Sequence, residues 1–448
     1  MKLIKLFTFH FSLFTFFTGA LMASSLPKYY TQTLPNGLEV VAIPMQNGSG
    51  VITTDIFYKV GSRNEVMGKT GIAHMLEHMN FKSTKHMKAG EFDQIVKRMG
   101  GVDNASTGFD YTHYFIKGAS RNLQKSLALF ADMMANLKLS DEEFQPERKV
   151  VAEERRWRTD NNPTGYLYFR LFNNAYIYHP YHWTPIGFMK DIQNWTIEDI
   201  RQFHQTYYQP KNAIIVVAGD IEPEAVFEAA KKEFAAIPNH GDIPKVHQVE
   251  PEPDGPKRVE IFKESEVQML AITFPIPDFT HPDQPALSAL SELLSSGKSS
   301  RLVEELVDKR KLVNQLYAYN MELKDPGVFL FLAVCNPGVK AEEVEKAIWE
   351  QITQIKKNGV SQKELQKVKV NTKADFIFGM ENSSQVADLF GSYLARGDIS
   401  PLLRYEEAIE ALTPDDIKRV AQTYLQKARS TTVILRKRPE KKEEKKER

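Results

Sequence analysis

Two histidines stand four residues apart in GIAHMLEHMNF (Gly71 to Phe81), with a glutamate directly before the second. Residues at i, i+3 and i+4 of a helix share one face, so His74, Glu77 and His78 project together. Phe81, in the same register, is apolar, which turns that face inward. Two imidazoles one turn apart can hold a single Zn²⁺ at about 2.0–2.1 Å each, and a carboxylate beside them can take a proton from water on the metal. The plain alternative is a helix that happens to carry two histidines. With 11 His and 57 acidic residues in 448, chance supplies roughly 0.03 His-x-x-acid-His matches per chain, so the pattern favours zinc. A catalytic zinc also needs a third protein ligand and an open position for water.

The third ligand should sit on another element with its own inward carboxylate. In PERKVVAEERRW (Pro146 to Trp157), Glu147, Val150, Val151 and Glu154 fall at i, i+3, i+4 and i+7, one helical stripe. Carboxylates that share a stripe with two valines face a core, where a charge needs a partner such as a metal. Glu153 lies about 100° further round and is expected in solvent. This spacing predicts Glu154 as the ligand and Glu147 as the group that orients a histidine. For Glu147, an ion pair to a nearby arginine is the competing reading.

The elements that must position these side chains come in two copies. TIEDIRQFHQTYYQPKNAIIVVAGD (Thr196 to Asp220) lies over TPDDIKRVAQTYLQKARSTTVILRK (Thr413 to Lys437) without a gap. Both read as an N-capped helix running into a β-branched strand. Asn36-Gly37 signals a hairpin before LEVVAIPM, and GVITTDIFYKVGS follows as a second strand. NLQKSLALFADMMANL and AEEVEKAIWEQITQIKK carry helical apolar spacing. The expected class is α+β: two homologous α/β sandwich halves, each a mainly antiparallel sheet with helices packed on one face. The predicted divisions are a leader at 1–25, a zinc-binding half at 26–240, a Pro/Gly-rich linker at 241–257, a second half at 258–437 and a charged tail at 438–448.

Composition narrows the chemistry further. A formal net charge of +1 gives no electrostatic case for nucleic acid or an acidic membrane surface. Cys335 is the only cysteine, so a metal must be held by His, Asp or Glu. Lys2 and Lys5 precede a Phe- and Leu-rich run from Leu6 to Met22, followed by Ala23, Ser24 and Ser25, the layout of a secretory signal peptide. The mature chain is therefore expected in the periplasm, with an uncleaved membrane anchor as the alternative. No other stretch is long and apolar enough to span a bilayer.

The inverted motif His74-x-x-Glu77-His78, followed 76 residues later by Glu154, resembles the pitrilysin/insulinase family of zinc peptidases, the inverzincins. The likeness extends through GGVDNASTGFDYTHYFIKG, HPYHWTPIG, YYQPKNAIIVVAGD and SSRLVEEL, and covers nearly all of the mature chain. It implies one Zn²⁺ per chain on His74, His78 and Glu154, with Glu77 as general base. It also implies that Asn104, Ala105, Ser106 and Thr107 lie on a sheet edge and contact an extended peptide; an interior strand is the alternative. His113 is read as a strand residue with no catalytic part. In the family, a distal half supplies an Arg and, seven residues on, a Tyr that steady the oxyanion. Here Val307 and Asn314 occupy those positions, although Tyr317 and Tyr319 are near. The resemblance thus implies one subunit of a clamshell whose homologous partner carries the Arg/Tyr pair, or else a homodimer. A non-catalytic structural or chaperone-like subunit is the other functional class.

Overall fold

The computed structural model describes residues 25–438. The expected leader, apart from Ser25, and all but the first residue of the charged tail lie outside the described residues. Two sheets carry the fold. The first is built from β1 (Tyr30–Thr33), β2 (Glu39–Pro44), β3 (Val51–Tyr58), β4 (Val102–Thr107), β5 (Thr112–Ala119) and β6 (Ala213–Gly219). The second is built from β7 (Lys257–Lys263), β8 (Met269–Pro275), β9 (Val313–Met321), β10 (Val328–Cys335) and β11 (Thr431–Lys437). Their orders are β1-β2-β6-β3-β5-β4 and β7-β11-β8-β10-β9. With β1 set aside the wiring is the same, and each sheet has one parallel pair, β2–β6 or β7–β11, among antiparallel neighbours.

The repeat seen in the sequence corresponds to matching parts. Helices Ile197–Tyr207 and Pro414–Tyr424 both open on a reciprocal capping box, Thr196 with Asp199 and Thr413 with Asp416. Each box satisfies N–H groups that the first helical turn leaves without a partner. Each helix then feeds the strand at the same place in its sheet, β6 or β11. Gly37 (φ +86°) closes the β1–β2 turn, as its Asn-Gly dipeptide requires. β3 does not pair with β2, because the wholly buried β6 lies between them.

The expectation of helices on one face only is corrected. β6 and β10 are buried along their whole length, so both faces of each sheet must be covered. The halves achieve this by trading a helix. Helix Ser383–Arg396, from the second half, sets Val386, Ala387 and Phe390 against Val41, Phe57, Ile214 and Val216 of the first sheet. Reciprocally, helix Pro163–Ala175 sets Leu167, Leu171 and Phe172 against Ala271, Leu332, Val433 and Leu435 of the second. Asp325 clips the junction by accepting from His179 Nε2 at 2.9 Å and from Arg63. Burial opposes its charge, but these two donors hold its carboxyl at about 2. Among the described residues no helix is long and apolar enough to cross a membrane.

The traded helix approaches its sheet closely because residue 391 has no side chain. A Cβ at Gly391 would lie 2.0 Å from Cε2 of the fully buried Phe57. Gly391→Ala is therefore expected to cost about 1–3 kcal/mol by overpacking, read as a lowered thermal midpoint. An unchanged midpoint would show that the two halves are not locked at this contact.

Candidate metal centre and active site

Helix Ile72–Asn80 buries Ile72, Ala73, Met75, Leu76 and Met79 in the first core. It starts at Gly71 (φ +84°), which offers no capping side chain. Glu65 supplies the missing acceptor. Its carboxylate takes N–H groups from Gly71 and Ala73, and Nε1–H from Trp183, each at 2.8 Å. Burial pushes Glu65 up to about 8 against these three bonds. The start of the histidine helix is thus fixed by a residue outside the motif.

Helix Asp141–Arg155 brings the second set of carboxylates. Ser140 caps it by accepting from Glu143 N, and Phe144, Val151 and Arg155 face inward. Val150 does not share that face, being 49% exposed. The reason is rotational: at about 100° per residue, Val150 falls on the opposite flank of Glu147 from Val151, and the core lies on the Val151 side. Glu147 and Glu154 occupy the boundary between core and solvent. Glu153 is exposed and pairs with Arg156, as its position round the helix predicts.

Side chains from the two helices converge. Glu154 Oε2 lies 3.3 Å from His78 Nε2 and 3.7 Å from His74 Nε2. Ligand atoms held about 2.0–2.1 Å from a tetrahedral zinc stand about 3.3–3.4 Å apart; both Glu154 distances are close to that spacing, and the three ligand atoms all lie within 4.8 Å of one another. The donor types fit as well. Burial, with His78 nearby, pushes His74 down to about 4, which leaves its imidazole neutral and its lone pair free. Burial acts on His78 in the same direction, but hydrogen bonds to Glu147 and Glu154 outweigh it and lift His78 to about 9. The carboxylates that hold a proton there would equally hold a cation. The three side chains are 12%, 21% and 15% exposed, recessed yet reachable.

Glu147 Oε1 lies 2.7 Å from His78 Nδ1, and its other oxygen accepts from Lys82 Nζ at 2.5 Å. The competing reading, an ion pair to arginine, is replaced by a lysine that the spacing argument did not find. Glu147→Gln keeps an acceptor but loses the charge. We expect it to weaken zinc binding by roughly 10- to 100-fold, measured by competition with a chromophoric chelator. Unchanged affinity would show that the contact does not serve the histidine.

The strand with the expected peptide contacts, β4, is the edge of its sheet. Among the described residues, no strand pairs with its outer side. Its residues alternate: Asn104 and Ser106 are exposed, while Ala105 packs on the first core. Thr107 turns to the histidine helix and donates to Glu77 Oε2 at 2.5 Å. This contact to Glu77 was not legible from strand alternation. Burial raises the Glu77 carboxyl above its ordinary range, and the Thr107 hydrogen bond offsets part of that. His113 lies on the other face of the sheet, stacked on Phe57 at 5.0 Å.

In the second half, helix Gln284–Ser295 holds the place of the histidine helix without a histidine. Val307 packs against the second core and Asn314 is exposed. Tyr317 and Tyr319 stand 55% and 56% exposed on β9, the edge strand that corresponds to β4. A further group beside the triad, Arg158, lies 2.9 Å from Glu154 Oε1. Its i,i+4 spacing from Glu154 was the available signal.

These features are those of a known class of peptidase. Residues 40–182 match the profile of insulinase, peptidase family M16, and residues 194–371 match the M16 inactive domain. The chain belongs to this family of zinc peptidases. It is 55% identical to the zinc protease PqqE of Helicobacter pylori, across 92% of this chain and 94% of that one. It is 27% identical to the probable mitochondrial-processing peptidase subunit beta of Arabidopsis thaliana, across 90% of this chain and 77% of that one. The crystal structure of a protease from Helicobacter pylori matches at a TM-score of 0.91 and 55% identity, covering 92% of this chain and 100% of that chain. The periplasmic protease PqqL of Escherichia coli shares the fold at a TM-score of 0.75 and 20% identity, with 92% of this chain covering 48% of PqqL.

Proposed function

We propose that the chain is the zinc-bearing subunit of an exported endopeptidase that cleaves peptides or unfolded polypeptide segments. One observation carries the reading: Glu154 Oε2 within 3.3 and 3.7 Å of two imidazole nitrogens, on the helix face that also carries Glu77. His74, His78 and Glu154 would hold one Zn²⁺. Bound there, it supplies a Lewis acid for the scissile carbonyl and acidifies water. Glu147 fixes the ring of His78. Thr107 occupies Glu77 Oε2, which leaves Oε1 to take the proton of the attacking water and return it to the leaving amine.

An extended peptide would pair with the free edge of β4, where backbone hydrogen bonds hold it with little regard for sequence. Asn104 and Ser106 then face its outer side and Ala105 its inner side. Oxyanion support is the missing part, since Val307 and Asn314 offer none. A homologous subunit with an Arg/Tyr pair would complete the site as a heterodimer. In a homodimer the exposed Tyr317 or Tyr319 of the second copy would take that role. The test is hydrolysis of a quenched fluorescent peptide by the zinc-loaded mature chain, alone and with the homologous subunit, using Glu77→Gln as the blank. Turnover above the blank in either mixture supports the reading, and none in both rejects it.

A further inference from the structure

The two oxygens of Glu154 have different partners. Oε2 faces the two histidines, whereas Oε1 lies 2.9 Å from Arg158 Nε. We infer that Arg158 is a positioning residue of the metal centre: by holding Oε1 it keeps Glu154 a one-oxygen ligand. The inference rests on reading His74, His78 and Glu154 as the zinc ligands.

Local backbone puts Arg158 there. Past Arg155 the helix widens into a π turn over Arg156–Asp160, closed by Asn161 N–H donating to Arg156 O at 2.7 Å. The Arg158 carbonyl is packed against the next helix at Gly165, where a Cβ would lie 1.9 Å from that oxygen. The guanidinium therefore starts from a fixed backbone position, although its side chain is 63% exposed.

Neither stability nor metal affinity accounts for this contact. An ion pair whose guanidinium is this exposed adds little to folding. A guanidinium beside the site repels a metal cation, so it does not tighten binding. What it can do is divide the carboxylate. Two histidines and one oxygen fill three corners of a tetrahedron and leave the fourth for water. A carboxylate free to engage through both oxygens crowds that fourth corner.

Cobalt(II) in place of zinc reads the coordination number directly, because four-coordinate cobalt absorbs visible light more strongly than five-coordinate cobalt. The full mature chain, Arg158→Ala and Arg156→Ala are each loaded with cobalt, and the metal content of each is measured. Arg156 is the control, since it pairs with Glu153 on the solvent side. The expected result is strong bands in the unaltered chain and in Arg156→Ala. Arg158→Ala should keep one cobalt and its thermal midpoint but show clearly weaker bands, at the intermediate intensity of five-coordination. Its zinc form should show kcat lowered roughly tenfold with KM unchanged. Identical spectra in the unaltered chain and Arg158→Ala overturn this inference and leave the zinc reading standing. An equal loss in Arg156→Ala overturns it too. An unaltered chain that binds neither cobalt nor zinc overturns the zinc reading and this inference together.

Discussion

Glu77→Gln is expected to bind zinc as the unaltered chain does and to hydrolyse peptide roughly 10²- to 10⁴-fold more slowly. The substitution keeps the shape of the side chain and an oxygen that can accept from Thr107, the partner Glu77 has at 2.5 Å. It removes the basic oxygen that would take the water's proton. Glu77 is held on its helix by neighbours that do not change, since Leu76 and Met79 remain in the core and Glu65 still anchors Gly71 and Ala73. A loss of rate in this variant is therefore a loss of chemistry rather than of fold. The measurement is kcat/KM on a quenched peptide together with metal content. A rate equal to that of the unaltered chain would remove Glu77 from the mechanism.

His78→Ala is expected to remove the metal itself. His78 is tied to Glu154 at 3.3 Å and to Glu147 at 2.7 Å. Its loss leaves two ligands, one short of the three protein ligands that a catalytic zinc uses. Replacing a residue that only orients a ligand costs about 10- to 100-fold in affinity, and removal of the ligand should exceed that range. The two partly buried carboxylates would then lose their shared partner, Glu147 keeping Lys82, and Glu154 keeping Arg158 and His74. Dialysed protein should carry one zinc per chain when unaltered and almost none as His78→Ala, with hydrolysis lost in parallel. Full zinc content in the variant would place the metal elsewhere. The pair of variants separates holding the metal from moving the proton, because only one of them loses zinc.

The sequence alone determined whatever depends on short-range periodicity. A helix repeats every 3.6 residues, so His74, Glu77 and His78 had to share a face, and Glu147 and Glu154 had to stand two turns apart on one side. The same logic exposed the duplicated capping-box helices, each leading into a strand. It did not fix which flank of helix Asp141–Arg155 meets the core: Val151 is buried and Val150 lies on the solvent side. Tertiary structure decided the rest. The distance from Glu154 to the histidines depends on packing of two helices more than 60 residues apart in the chain. Thr107 meets Glu77 only because β4 ends beside the histidine helix. The traded helices, Pro163–Ala175 and Ser383–Arg396, cover sheets in the opposite halves. A run of apolar residues states only that it must be buried. Which surface buries it depends on the whole chain, because the hydrophobic effect rewards removed area without naming the partner.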